Sequence, residues 1–238
     1  MSEQADFALT ITPLNLGSIP PEDAILQAAQ KILDSVQSWH VGKTIRGVKT
    51  FSRPKQAGDG APWHARRSEH TAEEATFDDL WSKLAVNKAE NEKEFIPEIK
   101  KVTLVKQISP TQSVWTLYYT FPPPVSPRVF TVLQVVHLEE ISPRSGTIVS
   151  IPIDVTADKE LAKLEEKGVR GRYTSAERIR ELEDGKTEWL MATSSTPGGS
   201  IPTFIVERSM ASSIVQDVPH FLKWFHSLPK VTEGASNQ

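Results

Sequence analysis

Apolar residues recur at helical spacing at both ends of the chain and alternate with polar ones through the middle. Ile25, Ala29, Ile32, Leu33 and Val36 form one apolar stripe, which predicts a helix over 20–36. Pro20 and Pro21 suit its first turn, where a backbone N–H is unsatisfied anyway, and Glu22 and Asp23 complement its positive end. Strands are expected over 43–51 and 63–71. Thr76 followed by Asp79 reads as a capping box opening a second helix, with Phe77, Leu80, Trp81 and Leu84 on one face. A short helical turn falls within 91–100. Dense Val, Ile, Thr and aromatic residues then predict strands over 102–108, 114–121, 128–139, 147–154, 170–182 and 187–195. Pro122-Pro123-Pro124 interrupts the series, because proline cannot donate to a ladder, and Glu183-Asp184-Gly185-Lys186 marks a hairpin. A long final helix starts at an N-cap Ser200 with Pro202 in its first turn. It carries Ile201, Phe204, Ile205, Ile214, Val215, Val218, Phe221, Leu222 and Phe225, and Pro219 is expected to kink or break it. The order predicts an α+β fold in which one antiparallel sheet wraps one long helix.

Composition narrows the function classes. The 238 residues are 38% hydrophobic and 24% charged, a globular balance. A single domain over 1–230 and a flexible tail over 231–238 are expected. The formal net charge of -3 argues against a dedicated nucleic-acid binder. With no cysteine, disulfide scaffolds, thiol catalysis and cysteine zinc sites are excluded. The polar start, Met1 to Asp6, is unlike a signal peptide, and no apolar run approaches the roughly 20 residues of a bilayer span. A cytoplasmic protein is the expectation.

Four segments in order carry a family resemblance. They are Asn91 to Ile99 (NEKEFIPEI), Thr120 to Phe130 (TFPPPVSPRVF), Gly168 to Tyr173 (GVRGRY) and Thr196 to Pro202 (TPGGSIP). Together they resemble the START lipid-binding family of helix-grip fold, possessed of an acidic-aromatic stretch, a proline-rich turn into an Arg-Asp-Phe strand, a Val-Arg-Gly strand and a Gly-Gly-x-Ile-Pro helix entry. Val129 stands where that family has Asp. The likeness spans roughly 15–228 and points to a branch of fungal proteins. It implies a tunnel between the curved sheet and the last helix, holding a lipid, a sterol or another hydrophobic small molecule, with transient membrane contact, no cofactor and no nucleic acid. Related folds include cyclases, so an enzyme acting as a biosynthetic cyclase or isomerase on a polyketide-like or other apolar substrate in the same cavity is the alternative.

Candidate ligand contacts follow from strand parity. The strand 128–139 has two largely apolar faces, and the resemblance selects the one with Arg128, Phe130, Val132 and Gln134. Trp115, Leu117 and Tyr119 are the matching positions on the preceding strand. Gln134 is the sharpest candidate, since an unpaired amide in an apolar wall costs about 1–3 kcal/mol. Phe204, Ile205 and Arg208 share a face of the last helix. Leu161 and Leu164, in a charged segment over 156–168, are expected to act as a lid. Among His40, His64, His70, His137, His220 and His226, no spacing makes a familiar zinc site, and no nucleotide-loop or nucleophile-elbow motif occurs. His64, Arg66, Arg67 and His70 read as a solvated basic strand edge.

Overall fold

The computed structural model describes residues 7–199 and 203–229, the side chains of 203–211 excepted. The expected N-cap Ser200, Pro202 and the tail over 231–238 lie outside the described residues. In chain order the elements are β1 (Leu14–Asn15), α1 (Glu22–Ser35), β2 (His40–Ile45), β3 (Val48–Arg53), β4 (Trp63–His70), α2 (Phe77–Leu84), α3 (Lys88–Phe95), β5 (Ile99–Ser109), β6 (Gln112–Tyr119), β7 (Arg128–Glu139), β8 (Ser145–Asp154), α4 (Lys159–Ala162), β9 (Val169–Arg170), β10 (Arg172–Glu181), β11 (Thr187–Thr196) and α5 (Thr203–Phe225).

The strands form one antiparallel sheet in the order β2-β3-β4-β11-β10-β8-β7-β6-β5, with β1 and β9 adding short parallel pairs to β8 and β7. This is the expected α+β arrangement. Because β7 is covered on both sides, both of its faces are apolar. Leu133 and Val135, with Val149, Ile151, Ala176 and Leu190, pack against Ile25, Ala29 and Leu33 of α1 and Val36 just after it. On the opposite, concave face Ile148, Ile179 and Trp189 meet Val215, Val218 and Phe221 of α5 and Phe77, Leu80 and Leu84 of α2.

The single strand expected over 43–51 is instead the β2–β3 hairpin. Arg46 (φ 51°) and Gly47 (φ 80°) both take the left-handed conformation that a tight two-residue turn requires. Arginine is an unusual residue in that place, which hides the turn. The expected break at Pro219 does not occur, and α5 runs continuously through it. Proline costs a helix interior about 3 kcal/mol. Burial of Val215, Val218 and Phe221 around it, each worth about 1.5–3 kcal/mol, outweighs that cost.

The capping box forms as expected. The Thr76 hydroxyl accepts from the Asp79 amide at 3.2 Å, and the Asp79 carboxylate accepts from the Thr76 amide at 2.9 Å. Thr76→Ala is expected to cost about 1 kcal/mol. Urea denaturation would show it as a lower midpoint at unchanged slope.

Candidate binding cavity

A cavity of about 710 Å³ lies between the concave face of the sheet and helices α3 and α5. Its floor is built by register. Ser150, Ser175 and Thr193 are successive cross-strand partners on β8, β10 and β11, so three hydroxyl side chains point the same way.

One part of the wall is aromatic. Phe130 meets Tyr119 edge-on at 5.2 Å and Tyr173 at 5.6 Å, and Tyr119 stacks on Phe121 at 6.2 Å. Gly171 makes room for this group, since a Cβ there would fall 2.3 Å from the Phe130 ring. Burial holds both tyrosine hydroxyls above their ordinary pKa, so they stay protonated and can donate.

The other part is charged. Lys88, at the start of α3, points its ammonium into the protein, 2.7 Å from Glu92 one turn along and 2.8 Å from Glu177 of β10. Burial alone would lower the lysine pKa, but Glu177 and Glu92 more than offset it and hold the ammonium charged. Glu177 also accepts from the Trp189 indole N–H at 3.0 Å. Burial pushes Glu177 up, yet Lys88 and Arg66 prevail and hold it below the usual value, whereas burial prevails at Glu92 and raises it. Arg66, 1% exposed, lies with its guanidinium carbon 3.9 Å from the Trp189 ring centroid. Its Nη2 is 4.0 Å from Asp217 of α5. Burial pushes the Asp217 carboxyl up to about 7.

Comparison with known proteins places this arrangement. A family model described as a protein of unknown function, DUF3074, matches residues 63–225. The chain belongs to the DUF3074 family. No curated protein matches the sequence. Among solved structures, human StAR-related lipid transfer protein 5 is 15% identical over 86% of this chain and 94% of its own, with a TM-score of 0.72. Human STARD10 is 13% identical over 89% and 82%, with a TM-score of 0.70. A STAR-related lipid transfer protein from Xanthomonas axonopodis is 16% identical over 79% and 98%, with a TM-score of 0.59. At these identities the likeness speaks for the fold, and this DUF3074 chain has the START-like helix-grip fold. Among the described residues, no helix is long and apolar enough to cross a membrane, and no cluster of three or more His, Asp or Glu side chains is placed to hold a metal ion.

The residues singled out by parity are only partly brought together. Tyr119 and Phe130 line the cavity. Trp115, Leu117 and Val132 share their face of the sheet but form, with Ile99, an apolar cluster outside the cavity lining. Gln134 is 4% exposed with its Nε2 unpartnered, beside the floor residue Ser150 rather than in the lining itself. Arg128 is 3% exposed, and its guanidinium is occupied by backbone: Nε donates to the Pro197 carbonyl at 2.8 Å and Nη1 to the Ser126 carbonyl. It latches the loop before β7 to the loop before α5. Phe204, Ile205 and Arg208 lie on α5, but their side chains are outside the described residues.

The expected lid sits elsewhere. Leu161 packs against the core on the α1 side of the sheet, and Leu164 is exposed. Thr131, which faces away from the cavity, donates to Glu165 at 2.5 Å and pins the segment to that side. Nor is the basic group at His64 to His70 a solvated edge. Alternation along β4 sends Arg66 and His70 into the concave face, where they are buried, and Arg67 to the other, 3.1 Å from Glu188.

Sequence reasoning missed Lys88, Glu92, Glu177 and Asp217. Two signals were available. Lys88 and Glu92 are an i, i+4 pair, and Asp217 interrupts the apolar series Ile214, Val215 and Val218.

Asp217 gives a pH prediction. Its carboxyl binds a proton more readily folded than unfolded, where the ordinary value is 3.8. The folded state therefore loses stability as pH rises from about 4 to about 7 and levels off above. Asp217→Asn is expected to stabilise the protein by roughly 1–2 kcal/mol at pH 8, because cavity water screens part of the full cost, and to make no difference near pH 4. Denaturation curves across that range check this.

Proposed function

We propose that this protein binds, and carries, an amphipathic small molecule of the lipid class in the cavity, making transient contact with membranes in the cytoplasm to load and release it. The supporting observation is the cavity's mixed lining. Tyr119, Phe121, Phe130 and Tyr173 offer apolar ring surface, and Lys88, Glu92, Glu177 and Asp217 offer fixed charge. Its volume is that of a site for a lipid-sized or drug-sized ligand. Apolar burial, at about 25 cal/mol per Å², supplies affinity, and a few polar groups orient the molecule. The names of the structural neighbours, which include lipid transfer proteins, agree with this reading.

A second reading is favoured by Asp217, whose carboxyl exchanges a proton near neutrality while two protonated phenols face the same space. Such a set can act as general acid and base on a bound apolar substrate, as in a cyclase or isomerase. Turnover of a candidate substrate that is lost on Tyr119→Phe would support it.

The direct test extracts the purified protein into organic solvent and identifies co-purifying molecules by mass spectrometry. The carrier reading expects one lipid class near one per chain. Ser175→Trp fills the floor and is expected to cut that yield at least tenfold while the circular dichroism spectrum is unchanged. Undiminished loading of the folded variant would place the ligand outside this cavity.

A further inference from the structure

We propose that the cavity selects a cationic amphiphile, an apolar chain ending in a protonated amine, with the ammonium drawn to the charged groups beside Asp217. This rests on the binding reading above and names the chemical class of its ligand.

The charge balance carries the argument. Among the described residues, the groups facing the cavity include the carboxylates of Glu92, Glu98, Glu177 and Asp217 and a single ammonium, Lys88. That ammonium is already held by two of those carboxylates at 2.7 and 2.8 Å. The next cation, Arg66, does not line the cavity. It is sealed beneath, 1% exposed and stacked on Trp189. Glu98 is exposed to water, and of the three carboxylates that pair with a cation Asp217 has the longest contact, 4.0 Å to Arg66.

Each ligand class meets this surface differently. Among the described residues, an anionic head would meet carboxylates whose one neighbouring ammonium, Lys88, is already paired. A neutral hydroxyl can hydrogen-bond there but leaves the charge at Asp217 uncompensated. An ammonium supplies the missing positive charge and donates hydrogen bonds to carboxylate oxygens. A second polar group lies in the same cavity. Ser150 Oγ, in a residue 0% exposed, lies beside the Tyr173 hydroxyl and keeps lone-pair capacity to accept an N–H. The aromatic wall around Phe130 takes the apolar chain and offers ring faces that tolerate a nearby cation.

Proton linkage follows. Arg66 on β4, Glu177 on β10, Lys88 and Glu92 on α3 and His220 on the next turn of α5 surround Asp217. Without ligand, Asp217 holds its proton up to about pH 7. An alkylamine, like lysine with its pKa of about 10.4, is charged throughout the neutral range. It must displace the Asp217 proton to pair with the carboxylate, so its affinity rises with pH up to about 7 and flattens above.

The test is calorimetric titration of the full chain, cleared of co-purified lipid, with dodecylamine, dodecanol and dodecanoate at pH 6 and pH 8. The proposal expects dodecylamine to bind at least tenfold more tightly than dodecanol at pH 8, and its affinity to fall about tenfold at pH 6. Asp217→Asn is expected to remove both the preference and the pH response while dodecanol still binds. If that variant fails to fold, the wild-type amine-to-alcohol ratio and its pH response decide. Equal or tighter binding of dodecanol or dodecanoate at pH 8 overturns the cationic ligand and leaves the cavity reading standing. A pH response lost in His220→Gln but kept in Asp217→Asn overturns the role of Asp217. Binding of none of the three overturns both readings.

Discussion

A lysine ammonium buried between two carboxylates ties α3 to the middle of the sheet. Lys88 reaches Glu92 on its own helix and Glu177 on β10, and Glu177 is fixed in turn by the Trp189 indole. Burying three charges is tolerated only because each is paired at short range; a lone one would cost several kcal/mol. The pairing sets where α3 stands over the concave face, and with it one wall of the cavity. Among the described residues it also occupies the single ammonium facing the cavity, which leaves Asp217 to a stretched contact with Arg66.

The rest of the site is arranged around that fixed end. Cross-strand register aligns Ser150, Ser175 and Thr193 as a floor. The aromatic group about Phe130 adds an apolar part of the wall, seated because residue 171 is glycine. Arg128 contributes from outside, joining the carbonyls of Ser126 and Pro197 and so holding together the two loops that lead into β7 and α5. The lining of this DUF3074 chain thus combines fixed charge, hydroxyls and aromatic rings within a START-like fold, and on that combination the proposed binding of an amphipathic molecule rests.

The strands were legible because their signal is local. The full extent of β7, the α2 capping box and the β10–β11 hairpin follow from β-branched density, a Thr-x-x-Asp spacing and a turn sequence. The β2–β3 turn was not legible, because Arg46-Gly47 lacks the usual turn chemistry, and Pro219 misled because tertiary packing overrode a local cost. In the site, parity put Tyr119 and Phe130 on one shared face, and the family resemblance, not the periodicity, chose that face as the cavity side. Parity could not say how far along each strand the cavity runs, and Trp115, Leu117 and Val132 share that face yet belong to a packed cluster.

Alternation and spacing alone determined the element order, the α+β class and which residues share a face. They did so because side-chain direction repeats with period 2 in strands and 3.6 in helices. Only the tertiary structure decided which buried polar groups meet. Lys88, Glu177 and Asp217 come from three separate elements, and their charges matter through distances of a few ångströms that no periodicity encodes. The same holds for Leu161, whose amphipathic segment could cover either side of the sheet. It went to the α1 side because Glu165 found Thr131 there.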